Sequence, residues 1–306
     1  PKHVVPFLGL PWDVFRYDAM EFHDQLNFMK AGLTFADALT TVSPTYAKEI
    51  LTPDGGAGLD PVLRHRRREL VGILNGIDVV EWDPARDPRL PARYSSLDLS
   101  GKATCKAALQ RELGLPVRAD IPLVGMISRL ADQKGIDLVV AALPELLARD
   151  VQLAVLGTGA PAYEDAFRRA AADRPDRLAA HLGFDEALAH RIEAGADAFL
   201  MPSRYEPCGL NQMYSLRYGT LPIVRAVGGL EDTVEDFDGW MHGTGFKFRD
   251  YTPSALLLGV RRALDTFRDR RAWRALVLRG MAQDFSWDRS ARSYEALYRT
   301  LVPEAT

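Results

Sequence analysis

Two cations stand five residues apart in Ser128-Arg129-Leu130-Ala131-Asp132-Gln133-Lys134-Gly135. Arginine offers a planar fork to phosphate oxygens and lysine a mobile point charge, so a diphosphate would find both shape and charge there. A pair of solvated surface cations is the plain alternative. A second cluster runs from Pro202 to Gln212 and holds Glu206 just before Pro207-Cys208-Gly209-Leu210-Asn211. A carboxylate in that place accepts hydrogen bonds from sugar hydroxyls, while the N–H groups of Gly209 to Gln212, at a predicted helix start, hold an anion. Cys208 near a helix start would have a lowered thiol pKa, yet no histidine lies near it in sequence as a base, which argues against a thiol nucleophile. Gly228-Gly229-Leu230-Glu231-Asp232 reads as a third glycine turn before a helix, where backbone can approach a ligand closely. A tight connection with no ligand explains it equally well.

A rival site begins at Gly157-Thr158-Gly159-Ala160-Pro161-Ala162, which fits the relaxed dinucleotide pattern G-x-G-x-x-A and points to an NAD-binding oxidoreductase. Pro161 is awkward for a tight phosphate turn, and no acidic residue closes a clear second strand about 20 residues later. The six histidines include no pair at i, i+4 with an intervening glutamate, and no C-x-x-C occurs, so neither a bound metal nor another cofactor is expected.

The elements that must position these residues follow from periodicity. Strands at Leu123–Ile127, Gln152–Leu156, Ala198–Met201 and Leu221–Val224 alternate with helices at Asp137–Leu147, Glu164–Ala172, Asn211–Tyr218 and after Glu231. Alternation at this spacing predicts an α/β fold, a doubly wound parallel sheet that binds ligands at the carboxyl ends of its strands. Upstream, Glu21–Leu33 reads as one amphipathic helix, Ala38–Val42 as a buried strand, and Ser43-Pro44 as an N-cap and first helical residue. Asp54–Gly58 reads as a flexible loop and the cationic run Arg64–Arg68 as a solvated helix face. Ile73–Asp78 reads as a strand running into a turn, and the Pro- and Arg-rich stretch Asp83–Arg93 as an interdomain hinge. A last amphipathic helix starts at Trp287 and carries Tyr294, Leu297 and Leu301.

Composition sets the frame. A chain of 306 residues with 47% hydrophobic content buries a real core, and 38 basic against 41 acidic residues leave a net charge of −3. No global field attracts nucleic acid or an anionic membrane, so an anion must meet a local site. Two cysteines, Cys105 and Cys208, make no disulfide framework and fit a reducing, cytoplasmic setting. No apolar run spans a bilayer and no signal peptide opens the chain. The start at Pro1, with no complete strand-helix unit before Trp12, predicts that the sequence begins in mid-protein.

Taken together, Phe28-Met29-Lys30-Ala31-Gly32-Leu33, Thr41-Val42-Ser43-Pro44-Thr45-Tyr46-Ala47, Leu74-Asn75-Gly76-Ile77-Asp78, the Ser128–Gly135 loop and Glu206-Pro207-Cys208-Gly209-Leu210 closely resemble bacterial glycogen synthases and plant starch synthases. The likeness continues through Leu216-Arg217-Tyr218-Gly219-Thr220-Leu221-Pro222, Gly228-Gly229-Leu230 and Asp284-Phe285-Ser286-Trp287. The resemblance implies a GT-B fold of two Rossmann-like domains. Residues 1–75 would end the acceptor-side domain, 76–284 form the nucleotide-sugar donor domain, and 285–306 return to the first domain, leaving Tyr294 and Leu297 partly exposed and the chain prone to associate.

It also implies glucose transfer from ADP-glucose, or UDP-glucose, to the non-reducing end of an α-1,4-glucan with retention. Arg129 and Lys134 would neutralise the leaving diphosphate and Glu206 would bind glucose hydroxyls. Cys208, Gly209, Leu210, Asn211, Gly228 and Gly229 would complete the donor site, with Phe184 stacked on the base unless it is a core residue. A remnant that binds nucleotide sugar without transferring it is the alternative within the same family. The family's first-domain K-x-G-G loop, acidic donor residue and histidine lie before the point where this sequence begins and are not assigned to residues here. Asn211 replaces a common threonine, and Tyr214, eight residues after Glu206, matches the bacterial synthases.

Overall fold

The computed structural model describes residues 1–240 and 242–302 and divides them into two units, Pro1–Leu74 with the residues from Ala291 onward, and Asn75–Ser290. In the first unit β1 (Glu21–Phe22) and β2 (Gln25–Leu26) form an antiparallel hairpin ahead of α1 (Phe28–Phe35). The single helix expected over Glu21–Leu33 is therefore wrong in its first half. His23 and Asp24 take left-handed backbone, φ 51° and 58°, and turn the chain, while Asn27 caps α1 by accepting from the Lys30 N–H at 2.9 Å. Next come β3 (Leu39–Thr41), α2 (Pro44–Glu49), α3 (Asp60–His65) and β4 (Leu70–Gly72). Ser43 caps α2 through the Tyr46 N–H as expected. The predicted strand from Ile73 instead lies at Leu70–Gly72, parallel to β3. Arg66 also departs from the solvated face: its guanidinium sits on the carbonyls of Leu33, Thr34 and Ala36 and closes the end of α1.

The second unit is built from α4 (Ser100–Glu112), β5 (Leu123–Ile127), α5 (Ile136–Leu147), β6 (Gln152–Gly157), α6 (Pro161–Asp173), β7 (Leu178–Leu182), α7 (Glu186–Gly195), β8 (Ala198–Met201), α8 (Asn211–Arg217), β9 (Leu221–Arg225), α9 (Gly228–Thr233), β10 (Phe246–Phe248), α10 (Pro253–Arg268) and α11 (Arg270–Met281). α12 (Trp287–Leu301) starts in this unit and runs into the first; Tyr294 and Leu297 are half-buried in it and Tyr298 is exposed. The six strands pair in parallel in the order β10-β9-β8-β5-β6-β7. Helices cover both faces, which explains why β5 and β6 read as uninterrupted apolar runs instead of alternating. Leu138, Val139, Ala142 and Leu146 of α5 join Val124 and Leu153 in the main core. From β5 the chain winds outward through β6 and β7, then crosses back to β8 and winds the other way. The direction changes between β5 and β8, and the crevice outside the carboxyl ends of those two strands is where such sheets take ligands.

A polar network, buried except for the half-buried Lys102, lies beneath α8. Ser215 Oγ donates to Glu193 Oε2 at 2.6 Å, Tyr218 Oη donates to Asp87 Oδ2 at 2.8 Å, and His190 Nδ1 meets the same oxygen at 2.7 Å. Lys102 Nζ donates to the Ala194 and Tyr218 carbonyls and to Thr220 Oγ1. Desolvation raises the Glu193 pKa to about 8 and lowers that of Lys102 to about 8. Among the described residues no helix is long and apolar enough to cross a membrane.

Candidate donor site at the carboxyl edge of the sheet

The loops leaving β5, β8 and β9 meet at the switch point. The β5 loop is Ser128–Gly135; Arg129 is exposed and its Nη2 donates to Gln133 Oε1 at 2.9 Å. Lys134 ends a short 3-10 turn, Asp132–Lys134, and reaches across to the β8 loop, where its Nζ lies 2.6 Å from Glu206 Oε2. Ser203 Oγ donates to the same oxygen at 3.0 Å. The Arg204 N–H donates to the Gln133 carbonyl at 2.8 Å and stitches the two loops together. Glu206, 5% exposed, is thus held in a fixed position by a partner of opposite charge.

Cys208 is buried beside it. Burial pushes its thiol pKa up, against a smaller opposing effect of the Asn75 backbone N–H, so the group stays protonated and the nucleophile reading has no support. Gly209 and Leu210 carry the chain into α8, and Leu210 is 38% exposed. The N–H groups of Met213 and Tyr214 close back onto the Leu210 carbonyl, leaving the preceding amides at the open end of the helix. Asn211, expected among the donor-binding residues, commits its side-chain nitrogen to the Ile127 carbonyl at 2.9 Å and so ties α8 to the end of β5.

Gly228 and Gly229 do not precede a helix as expected; they are the first two residues of α9. A Cβ on Gly228 would stand 1.9 Å from the Glu206 carbonyl oxygen, and one on Gly229 would stand 2.0 Å from that of Cys208. The Gly229 N–H donates to the Glu206 carbonyl at 3.0 Å. These glycines therefore form the floor on which the Glu206–Cys208 backbone rests.

Phe184 stands at the carboxyl end of β7, 89% exposed, which removes the core role held open for it. β7 is two strands from β5, so the two strand ends lie roughly 10 Å apart along the same edge. Asp185 caps the following α7 by accepting from the Leu188 N–H at 2.8 Å.

The Gly157 loop is otherwise engaged. Its glycines let the β5 loop approach: a Cβ on Gly157 would meet the Ser128 oxygen at 1.9 Å and one on Gly159 the Leu130 oxygen at 2.2 Å. Glu164 Oε1 accepts from the Gly159 N–H at 3.0 Å and from Thr158 Oγ1 at 2.6 Å, placing a carboxylate where a pyrophosphate would have to sit. The dinucleotide reading fails on that contact.

Three supporting side chains are not read from the sequence, which takes Gln212 only for its backbone N–H. Gln212 is fully buried and its Nε2 donates to the Cys208 and Gly209 carbonyls and to Thr233 Oγ1, locking the β8 loop between α8 and α9. Arg225 Nη1 donates to the Arg204 carbonyl at 2.7 Å. Tyr251 lies under both guanidinium groups, 4.3 Å from Arg204 and 5.2 Å from Arg225. A cation at the carboxyl end of β9 was the available signal for Arg225; Tyr251 follows β10 and gave none.

Comparison with known proteins reaches both units. The starch synthase catalytic domain family matches residues 1–65, and the family of group 1 glycosyl transferases matches residues 115–275. A glycogen synthase of Anaeromyxobacter sp. (strain Fw109-5) is 79% identical over 98% of this chain and 63% of its own length. One from Myxococcus xanthus is 54% identical over 99% of this chain and 63% of its own. The chain thus spans somewhat under two thirds of these relatives. Among solved structures, the catalytic domain of starch synthase IV from Arabidopsis thaliana bound to ADP and acarbose superposes with a TM-score of 0.88 at 39% identity, covering 94% of this chain and 61% of that one. A sucrose-phosphate synthase from Thermosynechococcus elongatus shares the fold at a TM-score of 0.62 and 23% identity, over 95% of this chain and 66% of that one.

Proposed function

Because the chain belongs to the glycogen synthase and starch synthase family of group 1 glycosyl transferases, we propose that it is the donor-binding part of an α-1,4-glucan glucosyltransferase that uses ADP-glucose. Its fold is of the GT-B type. The observation that carries the reading is the meeting of Lys134 and Glu206 at the strand-order reversal, a cation and a carboxylate on loops of two adjacent strands.

In this reading the diphosphate lies along the β5 loop, where Arg129 and Lys134 neutralise it together with the amides at the start of α8. Glu206 and the backbone of Cys208 to Leu210 hold the glucose, and Phe184 stacks on the base. Departure of the diphosphate develops negative charge, and fixed cations stabilise that charge with no reorganisation at the moment of reaction. Glucose then passes to the non-reducing end of the glucan with retention.

Residues 1–75 close the acceptor-side domain, 76–284 form the donor domain and 285–306 return to the first. The unit boundaries at Leu74 and Ala291, and the starch synthase match over residues 1–65, support this division. The protein acts in the cytoplasm, where both buried cysteines stay as thiols.

Calorimetric titration with ADP, UDP and NAD tests the reading. ADP binding that Lys134→Ala and Arg129→Ala each weaken by about 1–3 kcal/mol is the expected result. Preference for UDP would change the donor, and NAD binding indifferent to both substitutions would overturn the assignment.

A further inference from the structure

One histidine in the network beneath α8 lacks a partner on its second ring nitrogen. His190 is fully buried, and its ring is fixed between Trp82, stacked at 3.8 Å, and Asp87, whose Oδ2 is 2.7 Å from Nδ1. The ionised carboxylate is an acceptor only, so Nδ1 carries the proton and Nε2 keeps its lone pair. Nε2 is buried with no hydrogen-bond partner, an arrangement that needs an explanation. Four residues earlier on the same helical face stands Glu186, and Glu81 approaches from the segment that follows Asn75. Ligand-capable atoms of Glu81, Glu186 and His190 all lie within 4.8 Å of one another.

A cation already occupies part of this space. Arg89 Nη2 lies 3.2 Å from Glu81 Oε1 and 2.9 Å from Glu186 Oε1, holding the two exposed carboxylates together. Three carboxylates, counting Asp87, face one guanidinium, which leaves two negative charges uncompensated. A carboxylate that orients an imidazole through Nδ1 while Nε2 stays free is the usual support of a metal-bound histidine.

We infer that Glu81, Glu186 and His190 Nε2 form a site for one divalent ion of the Zn2+ class, with the Arg89 side chain displaced on binding. One imidazole nitrogen and two carboxylate oxygens form a donor set suited to such borderline ions. The ion would tie the segment around Glu81 to the first turns of α7, immediately after Phe184. Only one histidine takes part, so no histidine pair in the sequence marks the site.

The test uses the tag-free, chelator-treated chain titrated with Co2+ and then Zn2+. One equivalent of Co2+ should bind with a visible absorption band that Zn2+ abolishes. Glu81→Gln and Glu186→Gln, both at exposed positions where folding is not at stake, should each weaken binding by about tenfold or more. Arg89→Gln should strengthen binding by removing the competing cation. Failure of the unaltered chain to take up either ion, or uptake that neither glutamate substitution changes, overturns the site.

Discussion

Two groups of polar side chains in the second unit solve burial in opposite ways. At the carboxyl edge, Glu206 meets Lys134 as an ion pair at 2.6 Å, and the lysine side chain keeps 21% of its surface in solvent. Beneath α8, Glu193 receives only the Ser215 hydroxyl and Lys102 only carbonyls and a hydroxyl, with no ion pair between them. The first arrangement sets cation against carboxylate at the edge of the sheet, with the lysine partly in solvent. In the second, desolvation disfavours the charged form of each group and moves both to a pKa of about 8, so Glu193 is neutral below that pH and Lys102 above it. Opposite charge at the edge holds Glu206 in place at the candidate site, whereas its absence inside makes stability depend on the pH at which the same residue types titrate.

The largest effect that would sharpen this contrast is in pH. The folded state holds the Glu193 proton that the unfolded chain releases above about 4.5, so stability falls as pH rises from there to about 8. For Lys102 the unfolded chain holds the proton up to about 10.5, so stability recovers between about 8 and 10.5. Urea midpoints measured by circular dichroism should therefore pass through a minimum near pH 8. Glu193→Gln should flatten the acid side by on the order of a few kcal/mol, and a featureless profile in the unaltered protein would erase the distinction.

Next in size is Gly229→Ala. A methyl group 2.0 Å from the Cys208 carbonyl forces backbone to move, costing about 3 kcal/mol in urea unfolding and displacing the Glu206 loop. A variant of normal stability would show that the floor of the site yields. Glu206→Gln should act on the ligand alone: ADP binds as well as before or better, while ADP-glucose loses about 1 kcal/mol, read by calorimetry. The smallest change belongs to Phe184→Ala, which should weaken ADP by about 1 kcal/mol through lost stacking and leave the unfolding midpoint in place, since the ring is exposed.

How much of this was legible depended on how local each signal is. β5 and β8 were read to the residue because Leu123–Ile127 and Ala198–Met201 are short apolar runs between clear turns. The loops after them stood out because charge at the end of a buried strand is unusual. β7, Leu-Ala-Ala-His-Leu, lies at a sheet edge and is half-buried, so its pattern is mixed. β10 has three residues, too few for a period. The hairpin at 21–26 turns on left-handed backbone at His23 and Asp24, which residue type does not announce. Asp87 and His190 are 103 positions apart, so only the fold brings carboxylate and imidazole together. The same holds for Arg66, whose partners on α1 lie some 30 positions earlier.

If the donor binds as proposed, the Lys134–Glu206 pair bears on turnover. A diphosphate that recruits Lys134 does not add an ionic contact to the protein; it trades one for another, and the released carboxylate is then free to accept from the hydroxyls of the glucose arriving with it. Once glucose had gone, Glu206 would have no hydroxyl to hold and would compete again for Lys134. In the proposed reading the protein would thus carry its own rival to the spent nucleotide, a carboxylate tethered 2.6 Å from the ammonium, whose recapture of that ammonium would favour product release.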